Sequence, residues 1–280
     1  MAKKSQSKDA TRLKAQQMRE AQEKSDQRTR NIIIALVSVL IIAIVVVIVV
    51  VVVNRPTPEK AAQGLPEQFQ DGQPIIVSSE GVGVANPDAG DLTLYFDYTC
   101  GACAQLEMAL RPDLIDSAVA GDYNLELQPV ITAGAPYNVA ATAGALVVAA
   151  EAPDLFIEFH DALVEYFYDA ASAEDSSVYS DLGASAEKVA EIAREVGVSE
   201  DLIAQFDTDA AAGYLAGTTN TWVEADIQGR TQVATPEFVV DNQSLTLTGA
   251  SAEEVIAELK AAVAAGGAGA GTPAETEQSE

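Results

Sequence analysis

Between Ile32 and Val53 the chain runs 22 residues without a charge, broken only by Ser38. At ~1.5 Å per residue, a helix of that length spans the ~30 Å hydrocarbon core of a bilayer. Its many Val and Ile residues are weak helix formers in water. In lipid, however, every backbone group must be satisfied within the segment, and a helix does this. The run therefore predicts a transmembrane helix over 31–54. A cleavable signal peptide is the competing reading, but its apolar region runs ~7–15 residues and ends in small residues. This one ends in Val51-Val52-Val53-Asn54-Arg55, which favours an uncleaved anchor.

Charge orients the anchor. The chain carries 42 acidic and 16 basic residues, a formal charge of −26, yet residues 1–30 hold nine Lys/Arg against four Asp/Glu. The positive-inside rule places that arm in the cytoplasm and the acidic remainder outside, so the expected location is the cell membrane, with a single pass through residues 32–53. The arm itself reads as an orientation signal, with anionic headgroups as an alternative target. Residues 55–72, with Pro56, Pro58 and Pro66, read as an extracytoplasmic linker. Residues 266–280, rich in Gly, Ala and Glu, read as a disordered tail. What lies between, 73–265, is long enough for one well-buried domain. Its acidity argues against a nucleic-acid partner, whose binding surface would be basic.

Within that domain, short strands are expected at 74–77 and 83–85, and longer ones at 91–96 and 124–130. Helical spacing covers 101–119, with a break at Arg111-Pro112. Helices then follow at 138–150, 153–168, 185–196, 199–206 and 209–226, a helical insertion over about 135–226. The third should start at Ser185 and close at Gly197. A hairpin of 237–241 and 245–248 around Asn242-Gln243-Ser244 comes next. A last helix over 251–264 opens with Ser251 as cap and Glu254 three residues on. The order is α/β.

The only two cysteines are Cys100 and Cys103, in Cys100-Gly101-Ala102-Cys103, after an expected strand and at the start of an expected helix. That spacing brings both sulfurs within bonding distance. It also places the first beside unpaired N–H groups at the positive end of the helix dipole, which stabilises a thiolate. Cys100 would be the exposed nucleophile and Cys103 the resolving thiol, cycling between dithiol and disulfide. Half a zinc site is the first alternative, but one His and two Cys cannot complete a Cys/His zinc site. A structural bridge is the second, and one closing so small a loop stabilises little. No metal or other cofactor is expected. Downstream, Thr235-Pro236 enters a β-rich run; a cis bond there, beside the cysteines, would leave the Thr235 backbone free to pair with an extended substrate.

On LYFDYTCGACAQLE (Leu94 to Glu107) and ATPEFVVD (Ala234 to Asp241), the domain resembles the thioredoxin fold, and within it the DsbA-like thiol–disulfide oxidoreductases. The 133 positions from Cys103 to Pro236 exceed the thioredoxin spacing and read as the helical insertion of the DsbA type. Asp97-Tyr98 and the N-terminal anchor look like the membrane-tethered members of Gram-positive actinobacteria. The resemblance implies a four- or five-stranded sheet and a catalytic Cys100/Cys103 pair, with Thr235 and Pro236 binding the substrate. It also implies that reduced or unfolded secreted proteins are oxidised, and that a membrane quinone-linked reoxidase restores the disulfide. The dipeptide Gly101-Ala102 is neither the Pro-His of the best-known DsbA nor the Gly-Pro of thioredoxin, so oxidising strength does not carry over. Leu94 stands where family members often hold a buried acid, leaving Asp97 and Glu107 as candidate proton relays. A reductase or isomerase on the same fold, and a non-catalytic binding module, are the rival functions.

His160, the single histidine, reads as a structural or solvated residue, against a nucleophile pair with Cys100. Trp222 and the group Phe156, Phe159, Tyr166, Phe167 and Tyr168 read as core, with a client-facing groove as the alternative. The runs Glu174-Asp175 and Asp207 to Asp209 lack an EF-hand pattern.

Overall fold

The computed structural model describes residues 64–267. The arm, the apolar run 32–53, the linker up to residue 63 and the tail from 268 lie outside the described residues. Among those described, no helix is long and apolar enough to cross a membrane.

Six strands form one sheet: β1 (Ile75–Ser78), β2 (Gly81–Val82), β3 (Asp91–Phe96), β4 (Asn124–Pro129), β5 (Glu237–Val240) and β6 (Gln243–Ser244). Their order is β2-β1-β4-β3-β5-β6. The central β3 and β4 are parallel, with Leu94 opposite Leu127 and Tyr95 opposite Gln128. β5 lies antiparallel on the other side of β3, with Tyr95 opposite Glu237.

The parallel pair needs a crossover. It is supplied by α1 (Gly101–Leu110) and α2 (Asp113–Val119), separated at the cis Arg111–Pro112 bond. Alternation in β3 buries Leu92, Leu94 and Phe96 on one face. They share a core with Leu259 and Val263 of α8 (Ala252–Gly267), which packs on β3 and β5.

Between β4 and β5 run α3 (Pro136–Glu151), α4 (Pro153–Ser172), α5 (Leu182–Glu195), α6 (Glu200–Ile203) and α7 (Thr208–Glu224). The first, α3, is apolar on every side and is packed by α4, α5 and α7, as an all-round hydrophobic helix requires. Its Gly144 lets α4 come close: a Cβ there would sit 2.9 Å from Phe159 Cζ. α7 returns to the sheet, where the Thr218 hydroxyl donates to Pro129 O at 2.8 Å and Tyr214 bonds Gln128 at 3.0 Å.

Several local expectations shift. The hairpin turns at Asp241-Asn242, both with positive φ (47° and 60°), and pairs Val240 with Gln243, so Gln243 and Ser244 are strand rather than loop. Two such residues make a two-residue turn of the type whose twist suits a hairpin, and Asp and Asn tolerate that conformation. The early hairpin likewise closes at Ser78–Gly81, putting β2 two residues before the expected strand. Asp181, not Ser185, caps α5 by accepting from Ala184 N at 2.8 Å, and the Ser185 hydroxyl is spent on Val178 O. Gly197 does end that helix: φ is 92° and Val198 N donates to Ala193 O, a Schellman closure. Residues 64–72 are part of the folded body, since Leu65 and Phe69 around a short 3-10 turn are buried in the core.

Candidate active site

β3 ends at Phe96, and Asp97-Tyr98-Thr99 turns the chain into α1. Cys100 is the N-cap of that helix, and its sulfur accepts from Cys103 N at 3.3 Å, the position a Ser or Asp oxygen ordinarily takes. Both thiols are free, Cys100 half-buried and Cys103 2% exposed.

Their surroundings push the two thiols apart. A hydrogen bond from the Cys103 side chain is the largest influence on Cys100. Burial opposes it, and the Thr235 side chain with the N–H groups of Cys103 and Ala102 reinforce it, lowering Cys100 from 9.0 to about 6. The helix dipole acts in the same direction. Burial drives Cys103 strongly upward, and its place beside the Cys100 sulfur adds to this. One accessible thiolate therefore faces one buried, protonated thiol.

Across from Cys100 the Thr235–Pro236 bond is cis, and the Cys100 sulfur lies 3.5 Å from Thr235 O, to which only the protonated thiol donates. The cleft between them has a volume of about 540 Å³ and is walled by Ile131, Val223 and Val233, with Trp222 at its base. The three walls are exposed apolar side chains, while Trp222 is 1% exposed and stacks on Tyr95 at 5.6 Å. Trp222 is thus at once core and cleft. The aromatic group of the insertion is core, as expected, and does not line the cleft: Phe156, Phe159 and Phe167 are buried, with Tyr166 and Tyr168 packed against that core.

The two candidate relay acids hold different positions. Asp97, 1% exposed, is saturated as an acceptor. Oδ1 receives Thr99 N at 2.7 Å and the Thr99 hydroxyl at 2.6 Å. Oδ2 receives Thr132 N at 2.7 Å, Ala133 N at 2.9 Å and the Thr132 hydroxyl at 3.3 Å. Glu107, one turn beyond Cys103, meets His160 Nε2 at 2.8 Å, and His160 Nδ1 meets the Tyr98 hydroxyl at 2.9 Å. Tyr98 is held neutral, first by burial and then by the charge of Glu107. The arrangement that satisfies all three has Tyr98 donating to Nδ1 and Nε2–H donating to Glu107. With both ring nitrogens taken inside the core, His160 forms no nucleophile pair with Cys100. Leu94 is fully buried among apolar neighbours.

Four participants carried no local sequence signal. Asn138 of α3 accepts from Tyr98 N at 3.1 Å and donates to Val130 O at 2.9 Å, bracing the turn before Cys100. Thr132 joins Asp97 to Thr235. Arg230 and Glu237 form a buried bidentate pair, with Nε–Oε1 at 3.0 Å and Nη2–Oε2 at 2.7 Å. Burial works against ionisation of Glu237, but hydrogen bonds from Arg230, Trp222 and Ser244 outweigh it and hold the carboxyl below its usual range. Among the described residues, no group of three or more His, Cys, Asp or Glu side chains is placed to hold a metal ion.

No family model matches the sequence, and no curated protein does. Solved structures match. The MdbA protein, a thiol-disulfide oxidoreductase from Actinomyces oris, is similar with a TM-score of 0.56 and 20% identity, over 71% of this chain and 92% of that one. Reduced DsbA from Mycobacterium tuberculosis is similar with a TM-score of 0.50 and 22% identity, over 68% of this chain and 92% of that one. The fold is the DsbA-like form of the thioredoxin fold.

Proposed function

We propose that the chain is a membrane-tethered, extracytoplasmic thiol–disulfide oxidoreductase that introduces disulfides into secreted or envelope proteins. The observation that carries this reading is the asymmetry of the pair: a Cys100 sulfur lowered to about 6 at the mouth of an apolar cleft, backed by a buried Cys103. A stabilised thiolate favours the dithiol form and so makes the disulfide a stronger oxidant.

A client thiolate attacks Cys100 Sγ of the oxidised pair. The Cys100–Cys103 bond breaks, a client–Cys100 bond forms, and Cys103 leaves as a thiolate that takes up a proton. The client's second thiolate then attacks its own sulfur in that mixed disulfide and expels Cys100, for which the thiolate is the stable form. The client loses two electrons and the pair gains them. Thr235 O offers an extended client segment a backbone acceptor, and Ile131, Val223 and Val233 offer it apolar cover. A quinone-linked oxidase in the membrane would withdraw the two electrons, and an anchor at 32–53 would keep the domain beside it.

Electron flow in the opposite direction has one observation in its favour. A Cys100 value of about 6 lies nearer the ~7 of thioredoxin than the ~3.5 of DsbA. The reduction potential of Cys100/Cys103, measured in glutathione buffers, separates the two. A value toward ~−120 mV supports the oxidase, and one toward ~−270 mV overturns it in favour of a reductase. Client oxidation that survives Cys100→Ser would sink both.

A further inference from the structure

The end of α7 and the start of β5 approach the cleft from opposite sides, and a single buried ion pair ties them together. Glu237 follows Pro236 directly, so it stands next to the substrate-facing Thr235 in the chain. Arg230 forks onto both of its carboxylate oxygens. The third arm of the same guanidinium, Nη1, donates to Trp222 O in the last turn of α7 at 2.8 Å and to Ala225 O, its C-cap, at 3.3 Å. A cation at a helix C-terminus is well placed for those unpaired groups. The Trp222 indole N–H completes the circuit by donating to Glu237 Oε2 at 2.6 Å. The Arg230 guanidinium also lies 5.5 Å from the centre of the Trp222 ring.

Each member of this clasp is a chain neighbour of a cleft wall or borders the loop that carries one. Val223 follows Trp222, Thr235 comes two residues before Glu237, and Val233 lies in the loop between Arg230 and Thr235. A neutral hydrogen-bonded contact here would hold the end of α7 to β5 less firmly. A bidentate charged pair fixes both distance and angle. Resting on the exchange reading above, we infer that Arg230 and Glu237 are positioning residues that set the width of the client cleft by locking Val223 of the insertion against Val233 and Thr235. They touch no reacting atom. Their effect is on how well an extended polypeptide is held while its thiol reaches Cys100, and a small thiol does not need that hold.

The test compares two thiols on the full-length oxidised protein in detergent micelles, glutathione and a reduced unfolded polypeptide with two cysteines. Each is in excess and followed through the single reduction of the Cys100–Cys103 disulfide, so that KM and kcat are the half-saturating concentration and limiting rate of that one turnover. Arg230→Met and Glu237→Gln should raise KM for the polypeptide about tenfold while kcat changes less than about twofold. The rate with glutathione, and the pH profile of Cys100 alkylation in the reduced protein, should not move. Arg230→Lys keeps the charge but loses the fork and should give an intermediate KM. Val223→Ser and Val233→Ser, on exposed positions, should raise the same KM without disturbing the fold. An unchanged polypeptide KM in folded Arg230 or Glu237 variants overturns the clasp, as does an equal loss toward both thiols. If those variants do not fold, an unchanged KM in both valine variants overturns it, and a raised one supports it. Wild-type protein that exchanges with neither thiol sinks the exchange reading and the clasp with it; wild-type exchange without the KM effect sinks the clasp alone.

Discussion

The hydroxyls of Thr132 and Thr235 lie 2.7 Å apart, joining the loop after β4 to the loop before β5 directly beside Cys100. Thr132 is in turn held by Asp97, which sits three residues before Cys100 and accepts from the Thr132 backbone. The turn that carries Cys100 and the strand entered at Thr235-Pro236 are thus fastened to one buried carboxylate through one threonine. Both contacts fix where the Cys100 sulfur stands relative to Thr235 O.

Asp97→Asn tests this fastening. The amide keeps the shape of the carboxylate but turns an NH2 toward either the Thr99 or the Thr132–Ala133 donors, leaving buried N–H groups unpaired. Hydrogen bonds to a charged acceptor contribute roughly 1.5–3 kcal/mol each, and an orphaned buried donor costs about 1–3 kcal/mol. The expected outcome is a loss of about 2–4 kcal/mol in urea unfolding, together with slower exchange at Cys100 in the protein that remains folded. Wild-type stability in the Asn variant would show that the loops are held by other contacts.

Cys100 and Cys103 should differ sharply in alkylation. Iodoacetamide should modify Cys100 with a midpoint near pH 6, as its thiolate forms, and should leave Cys103 untouched through neutral pH. Because the Cys103 side chain is the largest influence lowering Cys100, Cys103→Ala should move that midpoint upward by about one unit or more. Mass spectrometry of the labelled peptides across pH reads both values, and an unmoved midpoint in the Ala variant would assign the effect to the helix start alone.

The same shift links redox state to stability. A thiol whose folded pKa is lowered contributes stability that is present above its unfolded pKa and lost as pH falls through the folded value. For Cys100 the window runs from about 9 down to about 6. The oxidised protein has no such group. The stability of the reduced form relative to the oxidised one should therefore rise between pH 6 and pH 8, as read by denaturation of the two forms in parallel. A flat difference over that range would contradict the lowered value.

What could be read from the sequence was what depends on neighbours in the chain. The Cys-x-x-Cys spacing, the β pattern before it and the helix after it are local, and so is the Thr-Pro at the head of β5. The hairpin register was not legible, because Asp241 and Asn242 both adopt positive φ and the turn opens one residue and closes two residues earlier than the Asn-Gln-Ser stretch implies. The polar frame of the site was hidden for a different reason. Glu107 finds His160 53 positions away and Tyr98 finds the same ring 62 positions away, so only the docking of α4 on α1 creates the pairs. From the sequence the insertion is legible only as a run of helices within the domain. Through Asn138, His160 and Trp222 it builds the back of the candidate site.

That frame makes a prediction about His160. Its ring is packed edge-on by Phe96 and Tyr98 and stacked by Phe156, an aromatic box that would accept another ring. His160→Phe should fit by volume yet strand the Tyr98 hydroxyl and the Glu107 carboxylate without partners, costing about 2–4 kcal/mol. The Cys100 alkylation midpoint should stay where it is, since neither Glu107 nor His160 is among the groups that set it. A shifted midpoint would turn His160 from a bracing residue into part of the proton chemistry.

Charge gives the last prediction. Between residues 64 and 267 the basic side chains are Arg111, Lys188, Arg194, Arg230 and Lys260, and each is engaged by an acid: Asp161 and Glu165, Glu191, Glu200, Glu237 and Asp122 respectively. The surplus acids, Glu224 and Asp226 at the end of α7 among them, have no cation of the described residues to neutralise them, so on the proposed function the domain would meet a client as a polyanion. Encounter with a basic unfolded polypeptide should be steered and encounter with an acidic one opposed, by an interaction that reaches only about 8–10 Å at moderate salt. Stopped-flow formation of the mixed disulfide should therefore slow at least about fivefold for a Lys/Arg-rich peptide between ~10 mM and ~0.5 M salt, and quicken for a Glu-rich one. Equal rates for both peptides at low salt would mean that the cleft, screened by its apolar walls, does not feel the charge around it.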